Sequence, residues 1–425
     1  MRLVFQILRL MKARFLSSKL KNHVNSPVGR IIVLTGARQT GKTTLAKNDF
    51  SKFTYLSIED PMLRIQYKNL TASQWQTHYP QAILDEVQKE PSLIESIKST
   101  YDQYEDVRYL LLGSSQLLLL KKVRETLAGR CIIEEVFPLT LPEILTQNWS
   151  DKIRKSWFQR FIETHKIQET MPSFQLDVNF AQRLQVFQDY IIFGGYPAIV
   201  NKEFSDENRV EWLRNYVRTY LERDLRDIAE IKSLEPFIKV QQMTALLTSQ
   251  LVNYSKLANE ADVTSKTAQR FLQYLEISYQ TVMIQPWAKN KMKRLVKSPK
   301  LHYLDPGVQR AILQKRGDIT GGEFESAVVA EIYKQIKVLG VEGQFYHLRT
   351  HDGAEIDLLF EMEEGVLAFE IKQTNRVTKK DARHLYRLES ILNKKVLMSF
   401  VLSKDNQIYQ YENNIMALPA AMFLT

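Results

Sequence analysis

IIVLTGARQTGKTTLAK (Ile31–Lys47) is the stretch whose reading decides the fold. Its first residues, Ile31 to Thr35, form a short apolar run rich in β-branched side chains, the pattern of a buried strand. The spacing G-x-x-x-x-G-K-T follows at once, with Gly36, Gly41, Lys42 and Thr43 in register and Ala37, Arg38, Gln39 and Thr40 between the glycines. Glycines at these points let the backbone curl so that its N–H groups face a phosphate chain. A helix starting at the second glycine points its positive end at the same anions. Lys42 is placed to reach the β- and γ-phosphates, and the Thr43 hydroxyl to bind Mg²⁺, with Thr44 completing the cradle. ATP with Mg²⁺ is the expected ligand.

Three further stretches continue the pattern. QAILDEVQK (Gln81–Lys89) reads as a strand ending in Asp85-Glu86, where Asp85 would hold the Mg²⁺ shell and Glu86 would polarise the attacking water. VRYLLLGSSQ (Val107–Gln116) is another buried strand, and its terminal Ser114 and Ser115 are candidates for orienting that water. ETLAGRCIIEEVFPLT (Glu125–Thr140) places Gly129-Arg130 before a fourth strand.

In this order the motifs resemble the prokaryotic AAA+-type P-loop ATPases that carry a C-terminal domain of unknown function. The resemblance implies an α/β multidomain protein with an AAA+-like parallel sheet, and an ATP-hydrolysing activity. It also implies that Arg130 is an arginine finger acting on a neighbouring site, a role that raises rates by about 10³–10⁵ where it operates. The alternative is a structural arginine bonding strand-end carbonyls. Ser114 and Ser115 depart from the Asn that many AAA+ proteins carry at the sensor position.

The whole-chain properties agree with a large intracellular-type protein. At 425 residues it is expected to form about two to four domains. Its 44% hydrophobic content indicates a packed core, and no apolar run reaches the length of a membrane span. Cys131 is the single cysteine, which excludes an internal disulfide and a thiolate zinc cluster and suits a reducing cytoplasm. The net charge of +10 favours a polyanionic partner such as duplex DNA. Residues 1–26 hold Arg2, Arg9, Lys12, Arg14, Lys19 and Lys21 with no acidic residue. That segment reads as a transit peptide, a membrane-surface helix, or a basic helix packed on the first domain.

Beyond the ATPase segment, 27–145, residues 146–240 are helix-patterned and resemble the family's lid and linker, including FGGYPAIV (Phe193–Val200) and YLERDLRDIAEI (Tyr220–Ile231). Within the latter, Arg223 either touches nucleotide or pairs with Asp227 at i+4. NYSKLANEADVTSKTAQRFLQYLE (Asn253–Glu276) reads as a helix-turn-helix in the segment 241–315. Thr264 caps its second helix, Ala268, Phe271, Leu272 and Leu275 form the apolar face, and Lys266, Gln269 and Arg270 point outward as candidate DNA contacts. KNKMKRLVKSPKLHYLD (Lys289–Asp305) is a basic ribbon suggesting a wing, with Lys293 as its candidate phosphate contact.

The last segment, 316–425, holds a helix with Glu325, a strand with Asp357, and VLAFEIKQT (Val366–Thr374) with Glu370 and Lys372. Alternation along a strand puts Glu370 and Lys372 on one face. This resembles the PD-(D/E)XK nuclease fold, which implies a Mg²⁺ shared by Asp357 and Glu370, completed by Glu325, with Lys372 steadying developing charge. The other reading is a scaffold whose E-x-K is an ordinary ion pair. The resulting expectation is an ATPase acting on or gated by DNA, with duplex DNA and either a protein partner or further copies of itself as its partners. The alternative is a nucleotide-dependent switch that recruits a protein partner and cuts nothing.

Overall fold

The computed structural model describes residues 11–113, 122–166, 179–200, 203–228, 234–290, 294, 297–350, 353–412 and 414–425, with 220–228 described by backbone only. Two sheets organise them. The first is built from β1 (Ile31–Thr35), β2 (Thr54–Ser57), β3 (Gln81–Asp85), β4 (Arg108–Leu112) and β5 (Ile132–Glu135), in the order β2-β3-β4-β1-β5. Every pairing is parallel. A parallel sheet is covered on both faces, which is why β1 and β4 are almost continuously apolar. Alternate residues of β1 feed separate cores: Ile31 and Val33 pack with Trp75, Leu84 and Tyr109, whereas Ile32 and Leu34 pack with Leu16, Leu20 and Leu45. All five strands finish at one edge, and a parallel α/β sheet offers its binding crevice there.

The helix Phe15–Val24 covers one of those faces. Its basic residues meet acids and carbonyls of the sheet domain. Arg14 donates to the Phe137 carbonyl at 2.7 Å, Lys19 lies 2.8 Å from Glu134, and Lys21 lies 2.9 Å from Asp49. Residues 1–10 lie outside the described residues.

The middle of the chain is helical: Phe180–Phe193, Asp206–Ile228, Glu235–Leu246, Tyr254–Glu260 and Ser265–Ile277. The last helix starts as its sequence requires, with the Thr264 hydroxyl accepting from the Thr267 amide at 3.1 Å. Ala268, Phe271, Leu272 and Leu275 are buried beneath it. An antiparallel hairpin follows, β6 (Thr281–Pro286) and β7 (Lys300–Tyr303).

That hairpin is not a free ribbon. β6 pairs in parallel with β8 (Gln344–Arg349), so β6 and β7 form one edge of an eight-stranded sheet. Its other members are β9 (Glu355–Glu361), β10 (Val366–Lys372), β11 (Val396–Ser403), β12 (Tyr409–Tyr411) and β13 (Ile415–Pro419). The sheet therefore spans the expected boundary after residue 315.

The two sheet regions are joined by buried polar contacts. On the helix Gly321–Leu339, Glu331 accepts from the Leu141 amide at 2.7 Å and Lys334 donates to the Leu139 carbonyl at 3.1 Å. Glu331 and Lys334 pair at 2.9 Å with both side chains fully buried. Each satisfies a backbone group of the ATPase segment, and losing one would strand the other's charge in the interior. Among the described residues no helix is long and apolar enough to cross a membrane.

Candidate functional site

The phosphate loop connects β1 to the helix Lys42–Asp49. Gly36 and Gly41 have φ of +140° and +90°, and a Cβ on Gly36 would lie 2.2 Å from the Val136 carbonyl oxygen. Only glycine fits there. The Lys42 ammonium donates to the carbonyls of Gly36 (2.8 Å) and Ala37 (2.7 Å), which curl around it at the helix start. Thr40 closes the turn by donating to the Ala37 carbonyl at 2.9 Å. Arg38 is half-buried and Gln39 is exposed at the tip, while Thr44 lies within the first helical turn.

Thr43 Oγ1 donates to Asp85 Oδ2 at 2.7 Å, joining the helix start to the end of β3. Tyr55 donates to the same carboxylate oxygen at 2.8 Å. Burial and that hydrogen bond raise the Tyr55 phenol well above its ordinary range, so it stays a donor. Glu86 follows with φ +58°, a left-handed conformation costing a non-glycine residue about 1 kcal/mol or more. The strain turns Glu86 out of the strand while Asp85 stays in it, with the Glu86 amide donating to Asp85 Oδ1 at 3.1 Å. The Gln88 amide group donates to the Glu86 carboxylate. A hydroxyl and a carboxylate converging at the start of the helix that follows the loop are the oxygen donors Mg²⁺ takes together with phosphate oxygens. The residues fit a nucleoside triphosphate with its magnesium. Ser114 and Ser115, beyond the end of β4, lie outside the described residues.

Arg130 is elsewhere. It donates to Asp102 at 2.7 Å, and both side chains are over a third exposed. It precedes β5, whose Ile132 pairs with Ile32 near the start of β1. Arg130 therefore lies at the edge where the strands begin, roughly 15 Å along the sheet from the loop where they end. It does not reach the phosphate loop of its own chain.

Lys266, Gln269 and Arg270 are all exposed on the outer face of the helix Ser265–Ile277. Lys293 and the side chain of Arg223 lie outside the described residues. The chain just past the other end of this helix contacts the strand that leads into the phosphate loop. Tyr279, two residues past its last turn and at φ +59°, shares a 2.7 Å hydrogen bond with Thr35 and donates to Glu135 at 2.9 Å. Thr35 is the residue immediately before Gly36. Pro197 of the G-G-Y-P turn also borders the loop, 3.9 Å from where a Cβ on Gly41 would be.

At the far sheet, Glu325, Asp357, Glu370 and Lys372 come together. They line a strongly polar cavity of about 460 Å³ with Ser249, Lys300, Glu355 and His384. Lys372 lies 2.7 Å from Glu370 and 3.8 Å from Asp357, as the strand alternation predicts. Asp357 Oδ2 accepts from the Ile371 amide at 2.8 Å.

Lys300, from the basic stretch Lys289–Asp305, joins these residues in the cavity wall. Its ammonium lies 2.6 Å from Glu325, 3.2 Å from Asp357 and 3.6 Å from Glu355, and the side chain is 4% exposed. Burial alone would lower Lys300, but Glu325 and Asp357 hold it above the ordinary lysine value. Burial, then repulsion from Asp357, pushes Glu325 and Glu370 up to about 8. Burial, then Lys300, drives His302 and His347 down, His347 to about 4. Among the described residues no group of three or more His, Cys, Asp or Glu side chains is arranged to hold a metal ion.

Three family models match successive parts of the chain. Residues 28–145 match the AAA domain family, and residues 184–318 and 320–423 match two domains of unknown function, DUF8612 and DUF4143. An uncharacterized protein of Mycobacterium tuberculosis is 24% identical over 414 residues, spanning 93% of this chain and 81% of its own. An uncharacterized protein of Methanocaldococcus jannaschii is 22% identical over 381 residues, spanning 82% and 76% respectively. A Walker-type ATPase of Pyrococcus abyssi, of known structure, is 15% identical with a TM-score of 0.43, over 70% of this chain and 94% of that one. The AAA match coincides with the parallel sheet and its phosphate loop. These define a nucleotide-binding P-loop ATPase domain, followed by a C-terminal domain of unknown function.

Proposed function

We propose that this chain is a cytoplasmic ATPase whose nucleotide site is gated by duplex DNA. In this reading residues 146–240 act as a helical lid, 241–315 as a winged helix-turn-helix, and 316–425 as a PD-(D/E)XK nuclease-like domain. The hydrogen bonds that Tyr279 makes with Thr35 and Glu135 support it above all. They fasten the end of the helix bearing Lys266, Gln269 and Arg270 to the strand from which the phosphate loop springs. A DNA backbone held on the outer face would be felt at the loop through that attachment.

Within the site, Lys42 exchanges its loop carbonyls for phosphate oxygens, and the loop amides orient the phosphate chain. Thr43 and Asp85 would hold Mg²⁺, which supplies charge neutralisation to the phosphates when bound. Glu86, turned out of β3, positions and polarises water. The exposed Arg130 is suited to a site on a second copy, since its own is out of reach.

A second reading is a nucleotide-dependent switch that recruits a protein partner and cuts nothing. The buried Glu331–Lys334 junction favours it, because it ties the C-terminal domain rigidly to the ATPase segment. Purified wild type and Lys42→Ala, compared for ATP turnover, test what both readings share. Loss of turnover in the variant is expected, and equal turnover would remove the phosphate loop from the account.

A further inference from the structure

We infer that Lys300 is the resident cation of the C-terminal carboxylate cavity, standing in the place a divalent metal would need, so that the cavity binds no catalytic metal. A Mg²⁺, Mn²⁺ or Ca²⁺ ion shared by Glu325 and Asp357 would sit within about 2.0–2.6 Å of an oxygen from each. The Lys300 ammonium already lies 2.6 Å from one and 3.2 Å from the other. The two cations compete for the same space and the same charge.

Lys300 cannot step aside easily. It is the first residue of β7, paired with Ile284 of β6 and bridged to Leu251. Its side chain is almost wholly enclosed. The neighbouring His302 and His347 are buried and held neutral, and they offer no anion to receive a displaced ammonium. Leaving the carboxylates would strand a charge in a poorly solvated space. The second lysine, Lys372, pairs with Glu370 at 2.7 Å. The cavity therefore carries its own countercharge and clamps the β6–β7 hairpin to the helix Gly321–Leu339 and to β9. The nuclease-like constellation then serves as an ionic clasp with no metal-assisted hydrolysis.

Mn²⁺ titration of nucleotide-free full-length protein, followed by the electron paramagnetic resonance of the free ion, tests the assignment. Wild type and Asp357→Asn are expected to titrate alike, because Asp357 ligates no metal. Lys300→Ala is expected to gain one bound Mn²⁺ per chain, lost again when Asp357→Asn is added, and to melt higher with Mn²⁺ where wild type does not. Binding by wild type that Asp357→Asn abolishes would overturn the assignment, as would a folded Lys300→Ala chain that gains no Mn²⁺. Should Lys300→Ala fail to fold, the comparison of wild type with Asp357→Asn decides alone.

Discussion

Thr35 Oγ1 lies 2.7 Å from the Tyr279 hydroxyl, a contact between residues 244 positions apart in the chain. It joins the last residue before the phosphate loop to the first turn beyond the helix with the exposed basic face. Because the same hydroxyl donates to Glu135, the phenol holds two adjacent strand ends at once. Tyr279→Phe keeps the ring and removes both bonds. Folding should weaken by about 1–3 kcal/mol, since the Glu135 carboxylate loses a donor and the buried Thr35 hydroxyl loses its acceptor. Any effect of DNA on ATP turnover should fall with it. Denaturant melts of both proteins read the first effect, and turnover with and without DNA the second. Full coupling retained in Tyr279→Phe would show that the signal takes another route.

Glu86→Gln should separate binding from hydrolysis. The amide keeps the size of the side chain but cannot polarise water as a carboxylate does. Equilibrium binding of a fluorescent ATP analogue should stay within a few-fold of wild type, about 1 kcal/mol at most. Turnover should fall by roughly 10²-fold or more. Undiminished turnover would transfer the water-positioning role away from Glu86.

Arg130 makes a prediction about concentration. At the edge of the sheet away from its own loop, it can contribute to hydrolysis only across an interface between copies. Turnover per chain should then rise with protein concentration, and Arg130→Ala should flatten the rise. A rate per chain that is independent of concentration in both proteins would leave Arg130 as the structural partner of Asp102.

The carboxylate cavity predicts a pH dependence of definite sign. Glu325 and Glu370 titrate near 8 in the folded chain against an ordinary value of 4.5, so between these limits the folded state holds more protons than the unfolded one. The stability linked to those protons is fully present below about pH 4.5 and is lost as pH rises through about 8. Glu370→Gln removes one of the competing charges and should reduce the fall in melting temperature between about pH 4.5 and about pH 8. An unchanged slope in the variant would contradict the raised Glu370.

Much of this was legible in the residues and some was not. The phosphate loop could be read because backbone geometry restricts it to glycine at Gly36, where the Val136 carbonyl leaves no room for a Cβ. Glu370 and Lys372 could be paired because strand alternation fixes their common face. Lys300 could not be found, since it closes a run of lysines that reads as a solvated ribbon. Only the pairing of β6 with β8 turns its strand into the cavity wall. Tyr279 resembled any aromatic at the end of an apolar helix face. Its role depends on a strand 244 positions away, which no local period encodes. The i, i+3 spacing of Glu331 and Lys334 is shared by surface and buried helix pairs alike, and it is the packing of the ATPase segment that buries this one.

DNA contact itself should divide along the exposed helix. Arg270→Ala should weaken duplex binding and reduce the slope of log affinity against log salt by about 1 if it meets a phosphate. Filter binding across a salt series measures it, and a slope equal to that of wild type would remove Arg270 from the interface.

The most direct measurement is the steady-state ATPase rate of the full-length protein at low salt, with and without duplex DNA, beside Lys42→Ala as the baseline. The DNA-gated account predicts a wild-type rate above the Lys42→Ala baseline that changes several-fold with DNA. A wild-type rate above baseline but indifferent to duplex DNA at every concentration would contradict the gating. A rate no higher than that of Lys42→Ala would contradict the ATPase itself.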